Sequence, residues 1–334
     1  MVKLGIAGMG YIGRVHLEAA SKVANAEVIG VSSSRPDQIR SLFPAVQTYP
    51  DYSSLLSNPR LDAVIVCVPT FLHEEYVLEA VRRGRHVLCE KPLALDSIAA
   101  SRMVASAKGR GTVLMVGQVL RFWPQYVAIK KMVDAGTLGQ VGSVSAQRLT
   151  KYPPWAEWFR DPAKSGGCVL DLQIHDLDFV YWLLGLPSTV HAIGLKGERG
   201  GWDHVYTTLT YPETVVNIEA TMLMPQSWPF TSGIRVNGTS GAVEYTFRAA
   251  GDVEKRDEAV DQIRFYRPDG TMFEPEVQAE DCFVAQLGYF AKCVETQAAP
   301  LACPPEESLQ ALRIAEACRK SLDTGIPVNL TATS

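Results

Sequence analysis

The sequence predicts an α/β chain in two domains, a doubly wound parallel sheet followed by an α+β domain with a large, mostly antiparallel sheet. Three observations carry this. The opening stretch VKLGIAGMGYIG is an apolar run that ends on Gly8, Gly10 and Gly13 and leads into an alanine-rich helical pattern. Short apolar strands then alternate with helical segments to about residue 118, the pattern of a parallel sheet covered on both faces. Beyond Trp123 the pattern changes to consecutive strand-like segments punctuated by turn signals.

The first strand and its glycines form a dinucleotide-binding fingerprint in its proper context, strand before and helix after. That is the signature of a Rossmann domain. Gly8 permits a tight turn, Gly10 lets the backbone approach a pyrophosphate, and Gly13 lets the helix pack closely on the strand. Tyr11 and Ile12 open the helix, whose N-terminus offers N–H donors and positive dipole to an anion. The second strand, Glu27 to Ser32, continues into Ser33, Ser34 and Arg35, where an NAD enzyme usually carries an acid for the ribose hydroxyls. Two hydroxyls and a guanidinium suit a ribose 2′-phosphate, so the tip leans toward NADP. The alternative, a solvated Arg35 with Asp37 reaching back to hold NAD, stays open.

Further strands are predicted at Asp62–Val68, His86–Cys89 and Thr112–Val116, with helices at Leu72–Arg83 and Ser97–Lys108 between them. The dinucleotide-binding domain is expected over 1–119 and an α+β domain over 120–334. In the second, helices are predicted at Gln125–Ala135 and Val169–Leu184. Strands follow at Val190–Lys196, Val205–Tyr211, Val215–Leu223, Ser232–Asn237, Ala242–Phe247 and Ile263–Arg267. Tyr211-Pro212-Glu213, Asn237-Gly238 and Pro268-Asp269-Gly270 supply turns. Helices Asp281–Thr296 and Pro305–Thr324 close the chain, and the C-terminal helix is free to dock back on the first domain.

A chain of 334 residues is comfortable for two domains. Its net charge of −4 gives no general attraction to nucleic acid or anionic membrane, so the expected partners are small molecules and copies of itself, as a homodimer or homotetramer. The N-terminus enters a core strand at once and no apolar run reaches spanning length, so a cytoplasmic location is expected. Seven dispersed cysteines without a C-x-x-C pair read as reduced, mostly core thiols.

Ligands bind at the carboxyl ends of parallel strands, so the chemistry is sought at the strand tips. The third strand ends Val68-Pro69-Thr70, with His73 opening the next helix, and the fourth ends Glu90-Lys91-Pro92. Pro92 disfavours helical backbone at Lys91 and holds it at the strand tip, where an ammonium would stabilise a developing alkoxide. Taken alone, such a lysine is an ordinary surface residue. In SGGCVLDLQIHDLD, Asp171 and His175 are four apart, so they share one helical face, either as an acid/base pair or as a structural hydrogen bond. A third convergent metal ligand is not evident, and no metal is expected.

Taken together, GMGYIG, VPTFLHEE, EKP, VGQVLRF and GGCVLDLQIHDLDFVYWLLG, in this order over most of the chain, resemble the Gfo/Idh/MocA family of sugar and inositol oxidoreductases. The resemblance implies that Lys91 is the catalytic lysine, His175 the proton-exchanging histidine, and Asp171 the aspartate that contacts substrate and histidine. It implies hydride transfer between a nicotinamide, NADP or NAD, and a secondary hydroxyl or carbonyl of a sugar or cyclic polyol. Cofactor contacts are expected from Gly8, Gly10, Tyr11, Ile12, Gly13, Ser33, Ser34, Arg35, Val68, Pro69, Thr70, His73, Glu90, Lys91 and Gln118. Where the family often places Asn, this chain has Thr70.

Arg121 is similar to a residue that often contacts substrate or cofactor phosphate in this family. In KYPPWAEWFR, Trp155, Trp158 and Arg160 are candidates to wall a sugar pocket, since aromatic faces stack on sugar C–H surfaces; a packing anchor or oligomer contact is the other reading. Two other functions share the fold, a redox-neutral NAD-dependent glycosidase and a non-catalytic NAD(P)-binding sensor. Lys91, Asp171 and His175 together argue against the sensor.

Overall fold

A computed structural model of the chain describes residues 1–153, 157–249 and 260–330. They form two compact units, Met1–Phe122 with Glu280–Leu309, and Trp123–Ala279 with Gln310–Ser334. The sequence predicts a single boundary after residue 119, whereas in the structure the first unit is completed by a segment from late in the chain.

The first unit opens with β1 (Val2–Ala7), α1 (Tyr11–Ala20), β2 (Ala26–Ser32), α2 (Pro36–Leu42), β3 (Thr48–Tyr49) and α3 (Tyr52–Leu56). It continues through β4 (Ala63–Val66), α4 (His73–Arg82), β5 (His86–Cys89), α5 (Ser97–Arg110) and β6 (Leu114–Val116). The six strands make one parallel sheet in the order β3-β2-β1-β4-β5-β6. The run AVIV of β4 is buried throughout, because a strand covered on both faces has no polar side to alternate with. The strand order reverses between β1 and β4, so the carboxyl ends of these two strands border the crevice where such sheets hold ligands. Asp96 caps α5 by accepting the Ala99 N–H at 2.7 Å, and Gly111 closes that helix in the left-handed region.

In the second unit α6 (Pro124–Asp134) and β7 (Val141–Leu149) lead to α7 (Pro162–Ser165) and α8 (Ile174–Leu184). The strands β8 (Thr189–Lys196), β9 (Trp202–Thr210), β10 (Val215–Thr221), β11 (Thr231–Gly238), β12 (Gly241–Arg248), β13 (Val260–Tyr266) and β14 (Met272–Phe273) follow. The chain ends with α9 (Cys282–Thr296), α10 (Pro305–Thr324) and β15 (Val328–Asn329). A nine-stranded sheet runs β14-β13-β12-β11-β7-β10-β9-β8-β15, antiparallel except where β7 lies parallel to β10. One face buries Val190, Ala192, Val205, Leu209, Val216 and Ile218, while the other presents Ile193, Leu195 and Tyr206 to solvent. Tyr126 of α6 packs edge-on against Phe179 of α8 and Tyr245 of β12, which sets the two helices on the sheet.

Strand β7 has no counterpart in the prediction. It carries Arg148, whose guanidinium makes two 2.9 Å hydrogen bonds to the buried carboxylate of Asp176 on α8. The late helix α9 belongs to the first unit because Leu287, Phe290, Ala291 and Val294 join the core of Val2, Leu4, Ala19 and Ala20. Among the described residues no helix is long and apolar enough to cross a membrane.

The glycines after β1 differ in what surrounds them. A Cβ on Gly13 would stand 2.0 Å from the Gly8 carbonyl oxygen, whereas one on Gly10 would meet nothing within 4 Å. Gly13→Ala is therefore expected to cost about 1–3 kcal/mol by forcing strand and helix apart, with Gly10→Ala melting close to the wild type. Thermal melts of both variants check this, and equal losses would contradict it.

Candidate active site

The ligand end of the first unit is built by the turn from β1 into α1. Gly8 sits at φ +94° and donates its N–H to the Ser32 carbonyl at 2.9 Å; a Cβ there would meet the Cys67 carbonyl oxygen at 2.6 Å. Gly10 is the N-cap of α1 and no side chain caps that helix, so Tyr11 and Ile12 stand at a helix start whose donors suit an anion. The Gln118 Nε2 is buried with no hydrogen-bond partner among the described residues, an amide donor that a bound group would satisfy. The open space at Gly10, the uncapped helix and this orphaned donor fit a nicotinamide dinucleotide.

At the tip of β2 the Ser33 Oγ accepts the Arg35 N–H at 3.1 Å, with Ser34 and Arg35 exposed. The Asp37 carboxylate pairs with Arg40 at 2.6 Å on α2. Val68 and Pro69 are half-buried beyond β4, and Thr70 is buried at the start of a short 3₁₀ turn, Thr70–Leu72.

Two residues expected among the cofactor contacts also make hydrogen bonds at the strand tips. The His73 ring is buried between the β4 and β5 tips, with Nδ1 2.8 Å from the Pro92 carbonyl oxygen and Nε2 2.9 Å from that of Val68. Burial lowers its pKa, against the pull of those carbonyls. Glu90 is also buried, its Oε1 2.7 Å from His16 Nε2 and its Oε2 accepting the Lys91 N–H at 3.2 Å. Lys91 itself is half-buried at the strand tip, joined to Pro92 by a cis peptide bond. Arg121 is buried too, with its guanidinium ion-paired to Glu307, which ties the loop after β6 to the start of α10. Burial pushes the Cys67 and Cys89 thiols well up, which removes them as nucleophiles near these tips.

In the second unit Gly166 and Gly167 have φ of +77° and +71°, a double left-handed turn that side chains resist and that aims the chain into α8. The sequence predicts one α-helix over Val169–Leu184. The structure has a π-helical turn, Val169–Gln173, before α8 begins at Ile174. Asp171 lies in the π turn and His175 in the first turn of α8, both half-buried among buried neighbours. Apolar periodicity cannot separate the two helix types over five residues, and π turns are frequent at functional sites. Asp176, next to His175, is the residue that Arg148 anchors, so this buried pair fixes the helix that carries the histidine.

Beside the π turn, Tyr152 packs on Cys168 and Leu172 and donates its hydroxyl to Asp203 Oδ1 at 2.5 Å, while the Arg160 guanidinium lies 5.0 Å from the Tyr152 ring centroid. Burial raises the Asp203 carboxyl from its ordinary value, against Tyr152 and Arg160. Trp158 stacks on Phe159 at 4.0 Å, and Trp155 lies outside the described residues. The first unit thus gathers the glycine turn, Ser33–Arg35, Val68–Thr70, Lys91 and Gln118 at the strand tips of one sheet. The second brings Arg160 beside the segment that holds Asp171. His16, Arg148, Tyr152 and Asp203 belong to these arrangements without having been singled out by the sequence, because their partners are distant in the chain.

Residues 2–118 match the GFO/IDH/MocA oxidoreductase family, NAD-binding Rossmann fold, and residues 126–244 match the GFO/IDH/MocA C-terminal domain. The inositol 2-dehydrogenase of Rhizobium meliloti is 30% identical over 258 residues, covering 72% of this chain and 74% of that one. The D-xylose 1-dehydrogenase (NADP(+)) 2 of Haloferax volcanii is 28% identical, with 98% of both chains covered. The fold is that of the aldose-aldose oxidoreductase of Caulobacter crescentus, at a TM-score of 0.86 and 24% identity over 98% of this chain and 99% of that one. With its glycine turn, parallel sheet and nine-stranded second sheet, the chain belongs to the GFO/IDH/MocA family of oxidoreductases and uses a nicotinamide cofactor.

Proposed function

We propose that the chain transfers a hydride between NADP, in preference to NAD, and a secondary hydroxyl or carbonyl carbon of a sugar or cyclic polyol, with Lys91, Asp171 and His175 as its catalytic residues. The observation that carries this reading is the half-buried Asp171 and His175 across the join of the π turn and α8, in a helix pinned by Arg148 and Asp176. Relatives named for inositol and for D-xylose support the substrate class and a nicotinamide cofactor, and the preference for NADP is drawn from Ser33, Ser34 and Arg35 alone.

When bound, the nicotinamide supplies the hydride acceptor or donor. Gly10, Tyr11, Ile12 and Gly13 hold the pyrophosphate at the start of α1. Ser33, Ser34 and Arg35 take the ribose 2′-phosphate; Asp37, already paired with Arg40, is less suited to reach back to ribose hydroxyls. Val68, Pro69, Thr70 and Gln118 line the nicotinamide side. His175 takes the proton from the substrate hydroxyl oxygen in the oxidising direction and returns it in the reducing one. Asp171 orients the imidazole and binds the substrate, and the Lys91 ammonium favours the oxyanion that forms as the proton leaves. Arg160 faces the substrate, with Trp158 as a wall residue.

The seven cysteines are all buried and unbridged, which suits a reducing compartment, and we assign the chain to the cytoplasm. The exposed Ile193, Leu195 and Tyr206 on one sheet face suit contact between copies in a homo-oligomer.

The test is a turnover screen by nicotinamide absorbance over inositols, aldoses and ketoses, with both cofactors and in both directions. Turnover with NADP ahead of NAD supports the proposal, whereas cofactor binding without net turnover moves the assignment to a redox-neutral glycosidase or a sensor. His175→Ala is expected to lower kcat about 100-fold or more with cofactor Kd nearly unchanged, and equal losses in both would remove the acid/base role. Ser33→Asp sets a carboxylate against the 2′-phosphate and is expected to shift the ratio of kcat/KM for NADP and NAD about tenfold toward NAD. An unchanged ratio would overturn the assignment of that strand tip.

A further inference from the structure

We propose that His16 is a positioning residue for Lys91, acting through the Glu90 carboxylate; this rests on the reading of Lys91 as catalytic. His16 lies on α1, and its side chain is fully buried. A carboxylate as buried as that of Glu90 needs donors on both oxygens, and it has one on each: His16 Nε2 at 2.7 Å from Oε1, and the Lys91 backbone N–H at 3.2 Å from Oε2. One carboxylate thus joins the helix of the cofactor turn to the peptide of the lysine.

The surroundings leave this carboxylate little freedom. A Cβ on Gly117 would lie 3.0–3.1 Å from the Glu90 carboxylate atoms, so glycine at that position admits the group and the Gly117 backbone walls it on that side. The Glu90 N–H donates to the Val66 carbonyl at 3.0 Å, and the Gly117 N–H to the Cys89 carbonyl at 2.7 Å, which fixes the strand tips on either side. The His16 ring meets the edge of Phe283 of α9 at 5.7 Å and an interplanar angle of 88°. Its Nδ1 has no hydrogen-bond partner among the described residues, so the proton belongs on Nε2, facing Glu90. Without that N–H, Oε1 is left buried without its donor, the carboxylate turns to seek another, and the Lys91 peptide loses its acceptor.

Two variants separate positioning from packing. His16→Phe keeps a ring against Phe283 but has no N–H, and His16→Gln returns an amide N–H close to the place of Nε2. The Phe variant is expected to lose about 10- to 100-fold in kcat with the NADP Kd unchanged, as misplacement of a catalytic group does. The Gln variant is expected to recover to within about threefold of wild type. Hydrogen exchange at the Lys91 amide, read by mass spectrometry of overlapping peptides, should accelerate in the Phe variant and return in the Gln variant. Wild-type kcat and exchange in the Phe variant overturn the proposal, as does a joint loss of kcat and cofactor affinity that Gln does not restore. Lys91→Ala is run beside them. If it keeps full turnover, the catalytic reading of Lys91 fails, while the exchange data still decide whether His16 orders that peptide.

Discussion

The first unit depends on how closely strand and helix meet at the glycine turn. With only 2.0 Å between the Gly8 carbonyl oxygen and the place a Gly13 Cβ would take, α1 lies tight against the end of β1. That contact directs the open helix N-terminus at the crevice between β1 and β4, and it carries His16 to the tip of β5. An anion site and the support of a lysine thus follow from one packing distance. Any side chain larger than hydrogen at Gly13 would move both.

A second pattern runs through both units, in which buried acids hold the functional segments. Glu90 is held by His16 and the Lys91 amide, Asp176 by Arg148, and Asp203 by Tyr152. Burying a carboxylate is unfavourable unless its oxygens are hydrogen-bonded, and in the Arg148–Asp176 ion pair leaving one partner alone would cost about 3–5 kcal/mol. Such pairs tolerate little displacement, and they sit next to Lys91, His175 and the π turn of Asp171. His73 lies between the β4 and β5 tips, its ring nitrogens facing the Pro92 and Val68 carbonyls, of which a neutral ring can bond one at a time.

Much of this was legible in the sequence. The parallel sheet announced itself because strands buried on both faces are continuous apolar runs, as in AVIV, and glycine spacing marked the turn. Strand β7 was not legible, since Ser143, Ser145, Gln147 and Arg148 dilute its pattern and only the pairing with β10 and β11 makes it a strand. The π turn was hidden because its residues are as apolar as those of α8. His16 gave no signal on an alanine-rich helix, its partner lying 74 residues away, and the ion pair of Arg121 with Glu307, 186 residues on, was equally invisible. Local pattern reveals elements, whereas the pairing of buried charges belongs to the tertiary structure.

The most direct test of the central claim is to trace the transferred atom. The enzyme is given NADP and a polyol or sugar deuterated at its secondary carbinol carbons, and the reduced cofactor is examined by mass spectrometry and NMR. Deuterium at nicotinamide C4, on one face of the ring and appearing about 100-fold more slowly or not at all with His175→Ala, is the result the account requires. A cofactor that binds yet gains no deuterium from any substrate in the series would contradict it.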